Sequence, residues 1–284
     1  VLSDLGTLAL ADGAGKASNY TLLIGGSVLI TPKTLTTSLT GAVEKVYDGT
    51  KAATLTSGNY SALSGIVGSD AVSLSYATSG IYADKNVGEN KAVAVSGLSL
   101  TGAAAGNYQL ASSTLSGNVG KITPKSLSAT QAATVTKTYD KSDTAVFDNT
   151  NLNVNGVISG DTVSVTGGTG TYDNVNAGDR SVTVTGVTLD NSNYSLAAAA
   201  VTGSEAGKLT GHINQKALSA TQTAAVTKTY DKNDSAAFDN SDLTVSGVIT
   251  GDTVSVTGSG TYDSVNAGDR SVTVTGVTLD NSNY

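Results

Sequence analysis

The sequence predicts an all-β protein made of tandem small sandwiches of about 90 residues each. Three observations carry that expectation. First, Val175 to Tyr194 recurs letter for letter as Val265 to Tyr284, and a looser copy, Asn86 to Leu100 followed by Asn107-Tyr108, lies upstream. Second, Val182 and Val184 alternate with Ser181, Thr183 and Thr185, the period-two pattern of a half-buried strand. Third, the composition is that of sheets and turns: 33 Gly and abundant Thr, Ser, Val, Asn and Asp, with few of the Glu, Lys, Arg and Leu that sustain helices.

The repeated block opens on Asn176-Ala-Gly178, a turn signal in which glycine supplies the left-handed conformation. At Gly186 the apolar phase flips to Val187 and Leu189, which predicts a bulge or sharp bend. Asp190-Asn-Ser-Asn193 closes the strand and Tyr194 starts the next. Val182, Val184 and Leu189, with their copies, are expected in the core.

Val1 to Ile30 reads as the tail of a preceding copy, since Gly6-Thr-Leu-Ala-Leu10 and Asn19-Tyr-Thr-Leu22 match Gly186-Val-Thr-Leu189 and Asn193-Tyr-Ser-Leu196. Thr31-Pro-Lys33 and Thr123-Pro-Lys125 are seams, and Asn214-Gln-Lys216 is a third that has lost its proline and is expected to be looser. The organisation is therefore 1–30, tail; 31–122, first repeat; 123–213, second; 214–284, third and truncated. After each seam stands a Lys-x-Tyr-Asp box: Lys45 to Asp48, Lys137 to Asp140 and Lys228 to Asp231. It reads as a strand ending in a turn, its Asp bonding its own backbone and its Tyr ring buried. Tyr47, Tyr139 and Tyr230 are thus expected at equivalent, largely buried positions. The other reading gives the Lys and Asp a ligand-binding or cross-linking role.

A hairpin is expected next, with Leu152, Val154 and Val157-Ile158 leading into Ser159-Gly-Asp161, and Val163 and Val165 leading out. Further repeat markers are Tyr82, Tyr172 and Tyr262 before the block, and Tyr108, Tyr194 and Tyr284 after it. A last strand, Gly207 to Ile213 in the second copy, runs into the seam, making about seven short strands per repeat.

A net charge of −7 argues against nucleic acid and anionic lipid as partners, and no apolar run is long enough for a membrane-spanning helix. The absence of Cys excludes thiol chemistry and disulfides. With one His and no Cys, nucleophilic triads lack their parts, so an enzyme is not expected. His212 reads as a strand-face residue. No cofactor is expected; the chemical alternative is calcium on loop carboxylates, with Asp140, Asp143, Asp148, Asp231, Asp234 and Asp239 as the candidates.

Together, Tyr47-Asp-Gly49, the Gly-Asp-x-Val-Ser-Val segment, the Asn-x-Gly turn, the Asn-Tyr strand and Ile122-Thr-Pro-Lys125 resemble the YDG-type domain. Such domains stand in tandem in large bacterial surface proteins and filamentous-haemagglutinin-like adhesins. Lys141 and Lys232 depart from the motif's glycine, and Gln215 from its seam proline. The resemblance implies immunoglobulin-like or β-grasp-like units, secretion to the bacterial cell surface, and a stalk role without catalytic residues. The expected function is a structural spacer that sets reach and stiffness, its partners being neighbouring repeats. The alternative is a module binding surface glycans through tyrosine-bearing loops. Short seams imply a stiff rod of roughly 35–45 Å per unit. The third copy lacks a counterpart of Ser195 to Ile213, which reads either as a window on a longer continuous chain or as strand complementation, with Thr21 to Ile30 of one molecule completing the third repeat of the next; residues 1–284 alone are expected to be unstable or to self-associate.

Overall fold

The protein is described by a computed structural model, in which residues 29–284 are described. The proposed tail of a preceding repeat, and the complementing strand at its end, lie outside the described residues except for Leu29 and Ile30. The chain divides into two compact units, Val1–Lys45 with Thr50–Thr123, and Val46–Gly49 with Pro124–Tyr284.

The first unit contains β1 (Lys33–Leu35), β2 (Val43–Val46, whose last residue belongs to the second unit), β3 (Ala52–Thr54), β4 (Ser73–Ser75), β5 (Ser79–Tyr82), β6 (Gly88–Ser96), β7 (Ser99–Thr101), β8 (Tyr108–Leu110) and β9 (Thr114–Thr123). Its main sheet runs β2-β9-β6-β5-β3, and smaller sheets pair β1 with β8 and β4 with β7.

The second unit holds two repeats. Its first repeat comprises β10 (Lys125–Ser126), β11 (Ser128–Gln131), β12 (Val135–Thr138), β13 (Thr144–Phe147), β14 (Leu152–Asn155), β15 (Val165–Tyr172), β16 (Gly178–Leu189), β17 (Tyr194–Ser195), β18 (Val201–Thr202) and β19 (Lys208–Asn214). A five-stranded sheet, β12-β19-β16-β15-β13, mirrors that of the first unit, accompanied by β14-β11-β18 and β10-β17. The later repeat contributes β20 (Ser219–Gln222), β21 (Ser235–Asp239), β22 (Leu243–Ser246), β23 (Val256–Tyr262) and β24 (Val272–Leu279). The protein is all-β, as its alternation requires. The helical elements among the described residues are three-residue 3-10 turns at Ser57–Asn59, Ala105–Asn107 and Ala198–Ala200.

The block that organises the sequence also organises the sheet. β16 lies centrally, antiparallel to β15 on one side and β19 on the other, with Val182 opposite Tyr172 and Leu209. Val182, Leu209 and Ile213 are fully buried, and Val184 nearly so, whereas Leu189 is half-buried. The phase flip produces the expected bulge. Thr169 pairs with Gly186 and Gly170 with Val184, so Thr185 is passed over, and Thr275 is passed over in the same way in the third repeat.

Three findings depart from the expectations. β1-β8, β10-β17, β11-β18 and β12-β19 are parallel pairs. Simple alternation does not distinguish parallel from antiparallel neighbours, so the pattern could not announce them. Second, the hairpin across Ser159-Gly-Asp161 does not form as a paired element. A turn is present, with Gly160 at φ 91° and the Asp161 amide donating to the Ile158 carbonyl, but β14 pairs with β11, and β15 with β13 and β16. Third, the third repeat is open along β24, where Val274 and Val277 are each 56% exposed, while Val256, Ala236 and Phe238 are buried. Its main sheet is β21-β23-β24, whereas β16 of the second repeat is covered along its first half by β19.

Candidate functional site

Local chemistry fixes the Lys-x-Tyr-Asp box first. In the second repeat, Lys137 Nζ lies 2.6 Å from Asp140 and donates to the Ser142 carbonyl at 2.7 Å, while Asp140 accepts from the Ser142 amide at 2.9 Å. The same ammonium stands 5.6 Å above the Tyr172 ring, whose hydroxyl donates to the Val135 carbonyl at 3.0 Å. Tyr172 in turn fits because the strand behind it carries Gly211. A Cβ there would lie 2.6 Å from the ring, closer than packed atoms approach. The third repeat reproduces the set with Lys228, Asp231, Asn233, Tyr262 and Val226. In the first unit Lys45 stands 5.4 Å above Tyr82, whose hydroxyl donates to Val43.

With Lys and Asp engaged in holding the turn, the box tyrosine is left to project beyond it. Tyr139 is only 4% exposed, and what buries it comes from the next repeat. Its hydroxyl donates to Asp252 Oδ2 at 2.8 Å, and its ring meets that of Tyr284 edge-on, centroids 5.5 Å apart at 81°. Tyr284 donates to the same Oδ2 at 2.8 Å and accepts from the Ile249 amide at 3.0 Å. One carboxylate oxygen thus receives two phenols, one from each repeat. Lys141 closes the other side, with Nζ 2.8 Å from Asp252 Oδ1. That ion pair, then the two phenols, pull the Asp252 carboxyl down to about 2. Burial, then the facing carboxylate, push the Tyr139 hydroxyl up to about 12. A second contact flanks the first. Asn283, 8% exposed, accepts from the Ala177 amide at 2.8 Å and donates to the Asn176 side chain at 3.1 Å, so the Asn-Tyr strand of one repeat docks on the Asn-Ala-Gly turn of the repeat before it. At the third seam, Gln215 donates to the Ser282 carbonyl in place of a proline stiffener.

The arrangement recurs within the same unit at Tyr47, which belongs to the Val46–Gly49 segment. Tyr47 is 2% exposed, donates to Asp161 Oδ2 at 2.7 Å, and packs edge-on against Tyr194 at 5.3 Å and 77°. Tyr194 also donates to Asp161 at 2.7 Å and accepts from the Ile158 amide. The Lys-x-Tyr-Asp box, the Gly-Asp turn and the Asn-Tyr pair therefore each have a place, either in shaping the turn or in making this clasp.

The YDG domain matches residues 31–115, 123–203 and 214–284. The chain belongs to the YDG domain family. No curated protein and no solved structure matches it. Within a YDG domain, then, the box tyrosine reaches outward to the next copy, and the two departures from the motif's glycine have opposite settings. Lys141 and Lys232 both take the left-handed conformation, φ 64° and 63°, where Gly49 sits at 77°. Lys141 finds Asp252; Lys232 has no partner among the described residues and is exposed.

Tyr230 differs from the expectation of burial: it is 54% exposed, because no described carboxylate and ring cover it as Asp252 and Tyr284 cover Tyr139. The calcium candidates do not converge. Asp140 and Asp231 are held by box lysines, Asp148 and Asp239 cap the amides and hydroxyls of Thr150 and Ser241, and the carbonyls of Asp143 and Asp234 accept from the Tyr172 and Tyr262 amides. Among the described residues no group of three metal-ligating side chains comes together. His212 lies on the exposed face of β19, its Nδ1 2.6 Å from Asp179.

Sequence reasoning missed Asp161 and Asp252. The available signal was that an Asp recurs at this turn in every copy, as Asp70, Asp161 and Asp252, with no strand pairing to explain it.

Proposed function

We propose that this chain is a spacer segment of a secreted bacterial cell-surface protein, in which YDG domains set the reach of a stalk and the tyrosine–aspartate clasp fixes each joint. The observation that supports the reading is the economy of the joint. The same box that shapes a turn inside one repeat supplies the tyrosine that the next repeat binds, through Asp252 and Tyr284 for Tyr139, and through Asp161 and Tyr194 for Tyr47. A unit that carries both halves of its own joint can be added any number of times. Binding sites for a foreign ligand gain nothing from such reciprocity. The net charge of −7 suits a surface-exposed, repetitive chain that must stay soluble.

The test is length against copy number. Chains carrying one, two and three additional copies of residues 123–213 are compared by small-angle scattering. The maximum dimension is expected to grow by a constant increment of roughly 35–45 Å per copy, from strand rise and sandwich dimensions. A dimension that stops growing as copies are added contradicts a spacer. A glycan array probed with the unmodified chain addresses the adhesive alternative separately.

A further inference from the structure

The parallel pairs share a feature for which alternation gives no reason. Each joins an early strand of a repeat to a later strand of the same repeat. In the second repeat β10 lies along β17, β11 along β18 and β12 along β19, so its first three strands are matched in order with its last three. In the first unit β1 lies along β8 in the same way, with Lys33 opposite Tyr108 and Leu35 opposite Leu110.

That order decides how tension crosses a repeat. The second repeat joins the chain before it at the start of β10 and the chain after it at the end of β19. In a parallel pair, the start of the early strand and the end of the late strand lie at opposite ends of the ladder. Tension drawn through those points slides one strand past the other and loads the evenly spaced hydrogen bonds together. Were the pairs antiparallel, the same points would lie side by side and the ladder would open one bond at a time. The β12–β19 pair is the longest of the three in this repeat. Its register runs from Val135 opposite Gly211 to Thr138 opposite Asn214, and the Tyr139 amide extends it by donating to the Asn214 carbonyl at 2.8 Å. At sheet spacing, Thr134 and Asn214 are separated by about 13 Å along the strands and about 5 Å across them, so shear dominates. The sliding strands are anchored as well. Ala129 and Val135 on the early side, and Tyr194, Val201, Leu209 and Ile213 on the late side, are buried, so slip also drags apolar groups from the core.

We propose that the repeats resist tension, the parallel pairs of each acting as a shear clamp between its incoming and outgoing chain. Forced unfolding is governed by the barrier along the direction of pull, and here that barrier is the failure of a whole ladder. The use of the clamp, holding a stalk under load, rests on the spacer reading; the clamp itself does not.

Single-molecule pulling on the full chain tests it by changing the direction of the load. The sequence holds no Cys, so pairs of Cys substitutions define the attachment points. Thr134→Cys with Asn214→Cys grips opposite ends of the β12–β19 ladder, whereas Thr134→Cys with Lys208→Cys grips both strands at the same end. Glu205→Cys, exposed on the turn ahead of β19, serves as a second same-end grip, and circular dichroism checks the fold of each variant. At a fixed pulling rate, the opposite-end variant is expected to rupture at a force at least about twofold above either same-end variant, since four residue pairs yield together instead of in turn. Forces that agree within that factor, or a higher force for the same-end grips, overturn the proposal. Scattering that shows no constant increment per added copy, while this ratio holds, would end the stalk reading and leave the clamp standing.

Discussion

The Tyr139 hydroxyl donates to Asp252 Oδ2 across 2.8 Å, joining residues 113 positions apart and belonging to successive repeats. Because Tyr284 donates to that same oxygen, the carboxylate organises both phenols at once. Removing the Tyr139 hydroxyl while keeping its ring isolates the bond from the packing. Tyr139→Phe is expected to destabilise the docking of the third repeat by about 2 kcal/mol, the range for a hydrogen bond to a charged acceptor. Tyr139→Ala should cost about 3–5 kcal/mol by losing the ring contact as well. Chemical denaturation followed by near-ultraviolet dichroism of the tyrosines checks both. A Tyr139→Phe variant as stable as the wild type would show that the hydroxyl contributes nothing, and equal losses in the two variants would show that the ring adds nothing to it.

The clasp has a pH window whose edges follow from its two shifted groups. The Asp252 carboxyl is depressed to about 2, by Lys141 first and then the phenols, so its contribution is present above the ordinary carboxylate value near 4 and is lost as pH falls toward 2. The Tyr139 hydroxyl is raised to about 12 by burial and by Asp252, so its contribution is full below about 10 and is lost as pH rises toward 12. The joint is therefore expected to hold between about pH 4 and 10 and to loosen outside that range. Tyrosine absorbance during alkaline titration should show one class of phenol ionising well above the rest, and its absence counts against the clasp.

Lys141 and Lys232 make a natural pair for separating backbone strain from charge. Each sits at positive φ, which costs a residue with a side chain about 1–2 kcal/mol, while glycine returns part of that gain through its larger unfolded entropy. Lys232→Gly is thus expected to stabilise by roughly 0.5 kcal/mol on those figures. Lys141→Gly gains the same relief but loses the pairing with Asp252, a partly exposed ion pair of about 0.5–1 kcal/mol, and should come out neutral or slightly destabilising. Thermal melts in low and high salt distinguish them, since the Lys141→Gly effect should move towards that of Lys232→Gly as salt screens the lost pair, while the Lys232→Gly effect should not change. Identical behaviour of the two variants would remove Lys141 from the joint.

How much of this was legible in the sequence depends on which residues are asked. Val182 and Val184 announced their strand and their burial by alternation alone, and Gly186 announced the bulge by breaking the phase. The box is legible as a turn held by its own Asp, because Asp140 and Ser142 are two residues apart and such bonds are local. Asp161 was assigned to a hairpin because a Gly-Asp pair between apolar runs looks the same whether or not the runs pair with each other. Its partner, Tyr47, lies 114 residues away, beyond any window a periodicity can span. Tyr230 was expected to be buried because it matches Tyr139 in sequence. Burial of that tyrosine is a property of the following repeat rather than of its own.

Gly211 offers a check on the core that is independent of the joint. Its Cα hydrogens face the Tyr172 ring and Val182, with 2.6 and 2.7 Å left for an added Cβ. Gly211→Ala is expected to cost about 1–3 kcal/mol through overpacking, although alanine is otherwise the milder residue in a strand. A melt unchanged by the substitution would mean that β19 stands farther from the tyrosine than described.

The most direct test of the clasp is a double-mutant cycle on the full chain, using Tyr139→Phe, Asp252→Asn and the two combined, with unfolding followed by tyrosine dichroism. If the tyrosine of one repeat and the aspartate of the next act through each other, the double variant will lose clearly less than the two single losses added together. Strict additivity of the two substitutions would contradict the clasp.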